Sequence, residues 1–206
     1  MNETPLIHVV DDDEPLRTSL LRLLKAAGYE ARGYGSSGEF LLEPPVDRPG
    51  CVLLDLRMPG PSGLELQAAL RRRGVALPVI FLTGHGDVAS SVRAMQAGAV
   101  DFLTKPVKRE TLFAALRRAL ERDAQDRSTR EEANRLRDRF AALTPREREV
   151  VDAIAGGKLN KQVGHDLGMA ERTVKLHRAR AMEKLGVGSA AELGRLAERL
   201  RLLSEP

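Results

Sequence analysis

The chain of 206 residues has no tryptophan, two tyrosines and five phenylalanines. Readers of unpaired RNA bases need stacking aromatics, and no such platform is encoded here. A single cysteine, Cys51, excludes an internal disulfide and suits a reducing cytoplasm. It lies in the apolar run Cys51-Val52-Leu53-Leu54 and reads as a small buried hydrophobe rather than a reactive thiol. No apolar run approaches the roughly 18 residues of a membrane span. The longest, such as Val79-Ile80-Phe81-Leu82, are strand-sized, so no membrane role is expected. The polar start Asn2-Glu3-Thr4, followed by acids, does not resemble a secretory signal. The four histidines (His8, His85, His165 and His177) are scattered without metal-protease spacing, and His85 reads as a loop residue. Repeats and low-complexity tracts are absent, and both halves hold enough Leu, Val and Ala to build a core.

The net charge of +4 is informative only in its distribution. Residues 1–122 carry 16 basic against 15 acidic side chains, and residues 123–206 carry 17 against 14. Within 158–185 there are 7 basic residues and 3 acidic ones, the excess expected of a phosphate-binding surface.

Over the first 122 residues, short apolar runs alternate with stretches of helical period. Strands are expected at Leu6–Val10, Glu30–Tyr34, Cys51–Leu54, Val79–Leu82 and Asp101–Leu103. Helices are expected at Pro15–Ala27, Ser37–Leu42, Leu64–Arg73, Val88–Ala97 and Arg109–Arg122. Three of the strands are continuously apolar, so both their faces should be covered. That alternation specifies an α/β fold with a doubly wound, five-stranded parallel sheet. Gly28, Gly74 and Gly98 stand where helices should stop. Residues 123–139 are highly charged, without sustained heptads, and read as a helix-prone linker or an extension of the preceding helix.

In an open parallel sheet, ligands bind beyond the carboxyl ends of the strands. There the sequence puts Asp11 and Asp12, then Asp55, then Thr83, then Lys105-Pro106. Three converging carboxylates repel one another and need a cation, and all-oxygen ligands favour a hard ion such as Mg2+ (or Mn2+). Such a site suits phosphoryl transfer to a carboxylate. Asp55 is the expected nucleophile, with Asp11, Asp12, Asp55 and the backbone carbonyl of Arg57 as metal ligands. Lys105 and the metal would offset phosphoryl charge, and Thr83 would hydrogen-bond a phosphoryl oxygen. A phosphatase working through a phospho-aspartate needs an acid two residues after the nucleophile, where this chain has Arg57.

From Phe140 onward everything reads as helical: an all-α, four-helix unit. Thr144-Pro145-Arg146-Glu147 is a capping box with proline at the first helical position. That helix ends at Gly156-Gly157. Asn160 is positioned to cap a short helix ending at Gly168, a third helix runs from about Glu171 to Leu185, and Ser189-Ala190-Ala191-Glu192 opens the last. The pair across Gly168-Met169-Ala170 has helix-turn-helix spacing. On its second helix Val174, His177, Ala181 and Leu185 share one face, leaving Lys175, Arg178 and Lys184 elsewhere and Arg172 near the N-terminal end.

Val9-Val10-Asp11-Asp12, Leu54-Asp55-Leu56-Arg57-Met58-Pro59-Gly60, Leu82-Thr83-Gly84 and Gly98-Ala99-Val100-Asp101-Phe102-Leu103-Thr104-Lys105-Pro106 together resemble the receiver domain of two-component response regulators. The resemblance implies a flavodoxin- or CheY-like fold, Asp55 as phosphoacceptor, Asp11 and Asp12 as the acidic metal pair, Thr83 as the switch hydroxyl, Lys105 as the family's lysine and Phe102 as the switch aromatic. It also implies a cis Lys105-Pro106 bond. Leu143-Thr144-Pro145-Arg146-Glu147-Arg148-Glu149-Val150, Asn160-Lys161, Thr173-Val174-Lys175-Leu176-His177-Arg178 and Met182-Glu183-Lys184-Leu185 resemble the LuxR-type helix-turn-helix. This second resemblance implies double-stranded promoter DNA as ligand, with contacts from Lys161, Arg172, Thr173, Lys175, Leu176, His177, Arg178, Arg180 and Lys184.

The whole is similar to the FixJ type within the NarL/FixJ class. A receiver at 1–122, a linker at 123–139 and a DNA-binding unit at 140–206 are expected. So are a sensor histidine kinase as phosphodonor, a homodimer when phosphorylated, and RNA polymerase as downstream partner. Enzymatic activity beyond metal-dependent phosphorylation and dephosphorylation of Asp55 is not expected. Two positions depart from the family pattern. Ala170 replaces a capping serine, at about 1 kcal/mol. Gly164 replaces a helix-favouring alanine, at up to about 1 kcal/mol.

Overall fold

The computed structural model describes residues 4–43, 47–84 and 88–202. It divides into two compact units, Met1–Arg127 and Ser128–Pro206. In the first unit the elements alternate as β1 (Leu6–Val10), α1 (Glu14–Ala26), β2 (Glu30–Tyr34), α2 (Ser37–Leu42), β3 (Gly50–Asp55), α3 (Gly63–Arg72), β4 (Val79–Thr83), α4 (Val88–Gln96), β5 (Asp101–Thr104) and the first part of α5 (Arg109–Ala141), whose residues from Ser128 on belong to the second unit. The sheet order is β2-β1-β3-β4-β5, with every pair parallel.

Continuous apolarity in the central strands has the consequence foreseen for it. Ile7, Val9, Cys51, Leu53, Ile80 and Leu82 face one way, against Leu20 and Leu24 of α1 and Leu112, Ala115 and Leu116 of α5. Val10, Val52, Leu54, Val79 and Phe81 face the other way, against Phe40 of α2, Leu66 and Leu70 of α3 and Ala94 of α4. Covering both faces is what a doubly wound parallel sheet requires. The reversal of winding between β1 and β3 opens the crevice at their carboxyl ends. Cys51 is buried, and desolvation raises its thiol pKa, as befits a packing residue.

Side-chain oxygens satisfy the first free N–H groups of several helices. Asp13 accepts from Leu16 N at 3.0 Å. Ser62 and Glu65 form a reciprocal capping box on α3, and Thr144 and Glu147 form one on α6 (Pro145–Ala155). Helix boundaries read from the sequence hold to within a residue or two, apart from α5. Residues 123–139 continue the helix begun at Arg109, so the charged stretch lies within one element of 33 residues.

In the second unit α6, α7 (Asn160–Leu167), α8 (Glu171–Leu185) and α9 (Ala190–Leu202) enclose Val150, Val151, Ile154, Val163, Val174, Ala181, Leu185 and Leu193. Leu136 and Phe140, from the last turns of α5, complete this core.

The cap of α7 differs from the expectation. The helix begins at Asn160 itself, Leu159 occupies the cap position, and Gln162 Oε1 accepts from Leu159 N at 2.8 Å. Gly164 is also not a weakness. A Cβ there would lie 2.7 Å from the Met169 carbonyl oxygen, because the turn folds back onto α7 through the Met169 N–H, which donates to the Gly164 carbonyl at 2.8 Å. The lost cap at Ala170, by contrast, is real: no side chain satisfies the first turn of α8.

His8 is buried on β1, with Nδ1 3.1 Å from the Tyr34 hydroxyl and its ring edge-on to Phe40. Burial, reinforced by Arg32 and Arg48, lowers its pKa from 6.5 to about 4. The unfolded chain then takes up a proton that the folded chain refuses. Stability is therefore complete above pH 6.5 and is lost as pH falls toward 4, by up to about 1.4 kcal/mol per pH unit from this group. His8→Gln should shrink the difference in denaturation free energy between pH 7.5 and pH 5, and an unchanged difference would refute the assignment. Ala170→Ser should stabilise the second unit by about 1 kcal/mol. In the same denaturant titration Gly164→Ala should destabilise it, against its higher helix propensity.

Candidate functional site

The carboxyl ends of β1, β3, β4 and the segment after β5 meet in one pocket. Asp11, directly after β1, is fully buried, and Asp55, the last residue of β3, is 7 % exposed. Asp12 is exposed at the rim. One carboxylate oxygen from each of the three lies within 4.8 Å of the other two. Lys105 Nζ stands between two of them, 2.7 Å from Asp11 Oδ2 and 3.0 Å from Asp55 Oδ2. The shorter contact sets the ammonium against the buried Asp11 Oδ2. The other oxygen, Asp11 Oδ1, accepts from Asp13 N at 3.0 Å.

Desolvation raises the Asp11 pKa above its ordinary value, with Lys105 pulling the other way. Burial alone would lower the Lys105 pKa, but its two carboxylate neighbours outweigh burial and raise it. The donor set is all oxygen, and its three carboxylates outnumber the one ammonium among them. Both features fit a hard divalent cation.

Local backbone geometry places these groups. Asp55 Oδ1 accepts from Arg57 N at 3.3 Å, while the Arg57 side chain faces solvent. Leu56 N donates to the Leu82 carbonyl at 3.0 Å, and Lys105 N to the Thr83 carbonyl at 2.7 Å, which ties the three strand ends together. The Lys105–Pro106 bond is cis. Thr83 is buried, 1 % exposed. Phe102 pairs in register with Phe81, ring centroids 6.4 Å apart, and is half-buried.

In the second unit α7 ends at Gly168, whose φ of +64° permits the sharp reversal into α8. Arg172, Lys175, Leu176, Ala179, Arg180 and Glu183 are exposed and recur at i, i+3, i+4, i+7, i+8 and i+11, forming one outward stripe. Val174, Ala181 and Leu185 hold the opposite face in the core.

Residues 7–117 match the family of response regulator receiver domains, and residues 141–197 match the bacterial regulatory proteins of the luxR family. The chain is 43% identical to Nodulation protein W of Bradyrhizobium diazoefficiens over 195 residues, covering 95% of this chain and 86% of that one. It is 42% identical to the transcriptional regulatory protein FixJ of Azorhizobium caulinodans, covering 96% and 93%. Among solved structures, the response regulator StyR superposes with a TM-score of 0.85 at 42% identity, over 96% of this chain and all of that one. Full-length FixJ from B. japonicum superposes at 0.59 with 36% identity, covering 98% and 100%.

The chain is a FixJ-type response regulator.

A receiver and a LuxR-type DNA-binding domain thus share one chain. The regulator's acidic residues and Lys105 are brought together as the sequence reading required. Its basic residues divide differently. Lys161, Arg172, Lys175 and Arg180 are exposed, whereas Thr173, His177 and Arg178 are half-buried. Arg178 Nη1 lies 3.5 Å from Asn160 Oδ1. Lys184 stands apart: its ammonium lies 2.7 Å from Glu147 Oε2 and 3.2 Å from the Ala142 carbonyl, binding the end of α8 to the α6 capping box. Lys184 and the Thr144 N–H together lower the buried Glu147 pKa. Lys184 thus also serves as a structural ion-pair partner, while its side chain remains exposed. His85 lies outside the described residues.

Sequence reasoning overlooked three positions. Arg17 Nη1 donates to the Asp11 carbonyl at 2.5 Å, steadying the acidic turn from α1. Its signal was a basic residue one turn into the helix after the acidic run. Ala179 completes the exposed stripe and was signalled by its spacing from Leu176. Gly63 opens α3, and a Cβ there would lie 2.3 Å from the Asp55 carbonyl oxygen and 3.0 Å from the Phe81 ring. This close approach seats α3 against the strand end that carries Asp55. Gly63→Ala should cost about 1–3 kcal/mol of receiver stability, measured by thermal or urea unfolding.

Proposed function

We propose that Asp55 accepts a phosphoryl group from the phosphohistidine of a partner sensor histidine kinase. An Asp55 carboxylate oxygen attacks phosphorus, the P–N bond breaks, the imidazole leaves, and an acyl phosphate forms. Asp11, Asp12, Asp55 and the backbone carbonyl of Arg57 would hold Mg2+ (or Mn2+), which when bound supplies positive charge to the phosphoryl oxygens. Lys105 offsets the remaining negative charge, and the Thr83 hydroxyl hydrogen-bonds a phosphoryl oxygen. The same residues support autophosphorylation from small phosphodonors and hydrolytic loss of the phosphoryl group. The observation that carries this reading is the Lys105 ammonium, 3.0 Å from Asp55 and 2.7 Å from Asp11.

In this reading Thr83 and Phe102 are the switch pair: movement of the threonine toward the phosphoryl group frees space for the half-buried ring. The receiver, residues 1–122, then favours a homodimer, and residues 123–139 link it to the DNA-binding unit, 140–206. Phosphorylation acts only through its differential affinity for the two receiver states.

Arg172, Lys175, Leu176 and Arg180 face the major groove of duplex promoter DNA, and Lys161, Thr173, His177, Arg178 and Lys184 contact the flanks and phosphates. Two copies read two half-sites, and bound regulator acts on RNA polymerase in the cytoplasm. In a mobility-shift titration of full-length protein, beryllofluoride with Mg2+ should tighten operator binding at least tenfold in the wild type and not at all in Asp55→Asn. Equal stimulation of the two proteins would overturn the role of Asp55.

A further inference from the structure

Between Arg122 and Glu132, α5 buries no apolar side chain. Every residue there is exposed except Asp123, Asp126 and Arg127. A helix with no apolar stripe is marginal in water. The pairs Arg122–Asp126 and Arg135–Glu131 lie at the surface, where ion pairs contribute little.

Asp123 is the exception. It is 1 % exposed, and its Oδ2 accepts from the Gly50 N–H at 3.0 Å and from Arg127 Nε at 3.0 Å. Gly50 is the first residue of β3. Arg127 reaches further, with Nη1 2.8 Å from Asp47 Oδ1 and Nη2 donating to the Arg48 carbonyl. Arg48 in turn lies 2.8 Å from Glu30 Oε2 and donates to the Thr4 carbonyl. One helix turn is thus bonded to the segment entering β3, and that segment is in turn bonded through Arg48 to the start of β2 and to the N-terminal segment. A buried carboxylate is costly unless paired, and an apolar side chain would fill the site more cheaply. Asp123 Oδ1 has no hydrogen-bond partner, so the guanidinium of Arg127 is the cation that compensates this charge.

We propose that Asp123 and Arg127 form a lock that fastens the linker stretch of α5 to the head of β3, so that the chain leaves the receiver as a held helix rather than a loose tether. The lock and Asp55 lie at opposite ends of the same fully buried strand. A linker of this charge and polarity is helical from Asp123 onward because the receiver holds its first turn.

Hydrogen exchange read by mass spectrometry on the full, unphosphorylated chain tests this without reference to phosphorylation. In Arg127→Ala and Asp123→Ala, amides of residues 122–134 should exchange at least tenfold faster than in the wild type, while peptides of β4 and α6 keep wild-type protection. Trypsin should cleave after Arg127 in Asp123→Ala, or after Arg130 in either variant, sooner than in the wild type. Should burial make Asp123→Ala fail to fold, Arg127→Ala decides, since its side chain lies nearer the surface at 19% exposure. Wild-type protection of 122–134 in folded Arg127→Ala overturns the lock. So does a loss of protection shared equally by β4 and α6, which would mark general destabilisation. A wild-type protein indifferent to beryllofluoride would sink the switch reading and leave this measurement intact.

Discussion

An ammonium group set between two buried carboxylates is the constraint on which the receiver's chemistry depends. Taking Asp11 and Asp55 out of water is costly, and their mutual repulsion adds to the cost. Lys105 makes the arrangement tolerable in the folded chain, and it reaches the pair only because β5 lies on the same side of β3 as β4 does. The compensation is incomplete: desolvation keeps the Asp11 pKa raised, and three carboxylates face one ammonium. Such a cluster is one that could hold a divalent cation.

The second unit meets its own constraint by geometry rather than charge. A helix that enters a groove must be held from behind while its outward face stays free. Val174, Ala181 and Leu185 do the holding, and the close approach of Gly164 to Met169 sets the angle of the turn. Lys184 belongs to this support, because the buried Glu147 carboxylate needs a cation of its own. Its charge therefore counts toward folding, whereas Arg172, Lys175 and Arg180 keep theirs at the surface.

Much of this was legible in one dimension because the signals are local or periodic. The apolar runs at 7–10, 51–54 and 79–82 encode two-sided burial, and the polar residues that follow them, Asp11, Asp55 and Thr83, mark strand ends. Thr144-Pro145-Arg146-Glu147 encodes a helix start through contacts spanning four residues. Other features rest on contacts that periodicity and residue type do not signal. Gly164 looked like a propensity defect until the Met169 carbonyl was found against it. Lys184 reads as one more basic residue of the second helix, and its ion pair with Glu147, 37 positions earlier, has no local signal. Asn160 looked like a cap, but the chain entered the helix one residue sooner.

By itself the sequence determined the element types, the two-unit composition, the acidic pocket's membership and the helix-turn-helix, since each follows from periodicity, capping chemistry or residue type at a strand end. Tertiary structure alone decided which charges are committed and which are free. It paired Lys105 with Asp11 as well as Asp55, Lys184 with Glu147, and Asp123 with both Arg127 and the Gly50 N–H. A charged side chain reads the same in sequence whether it meets water or a buried partner, and only the packing of distant segments distinguishes the two.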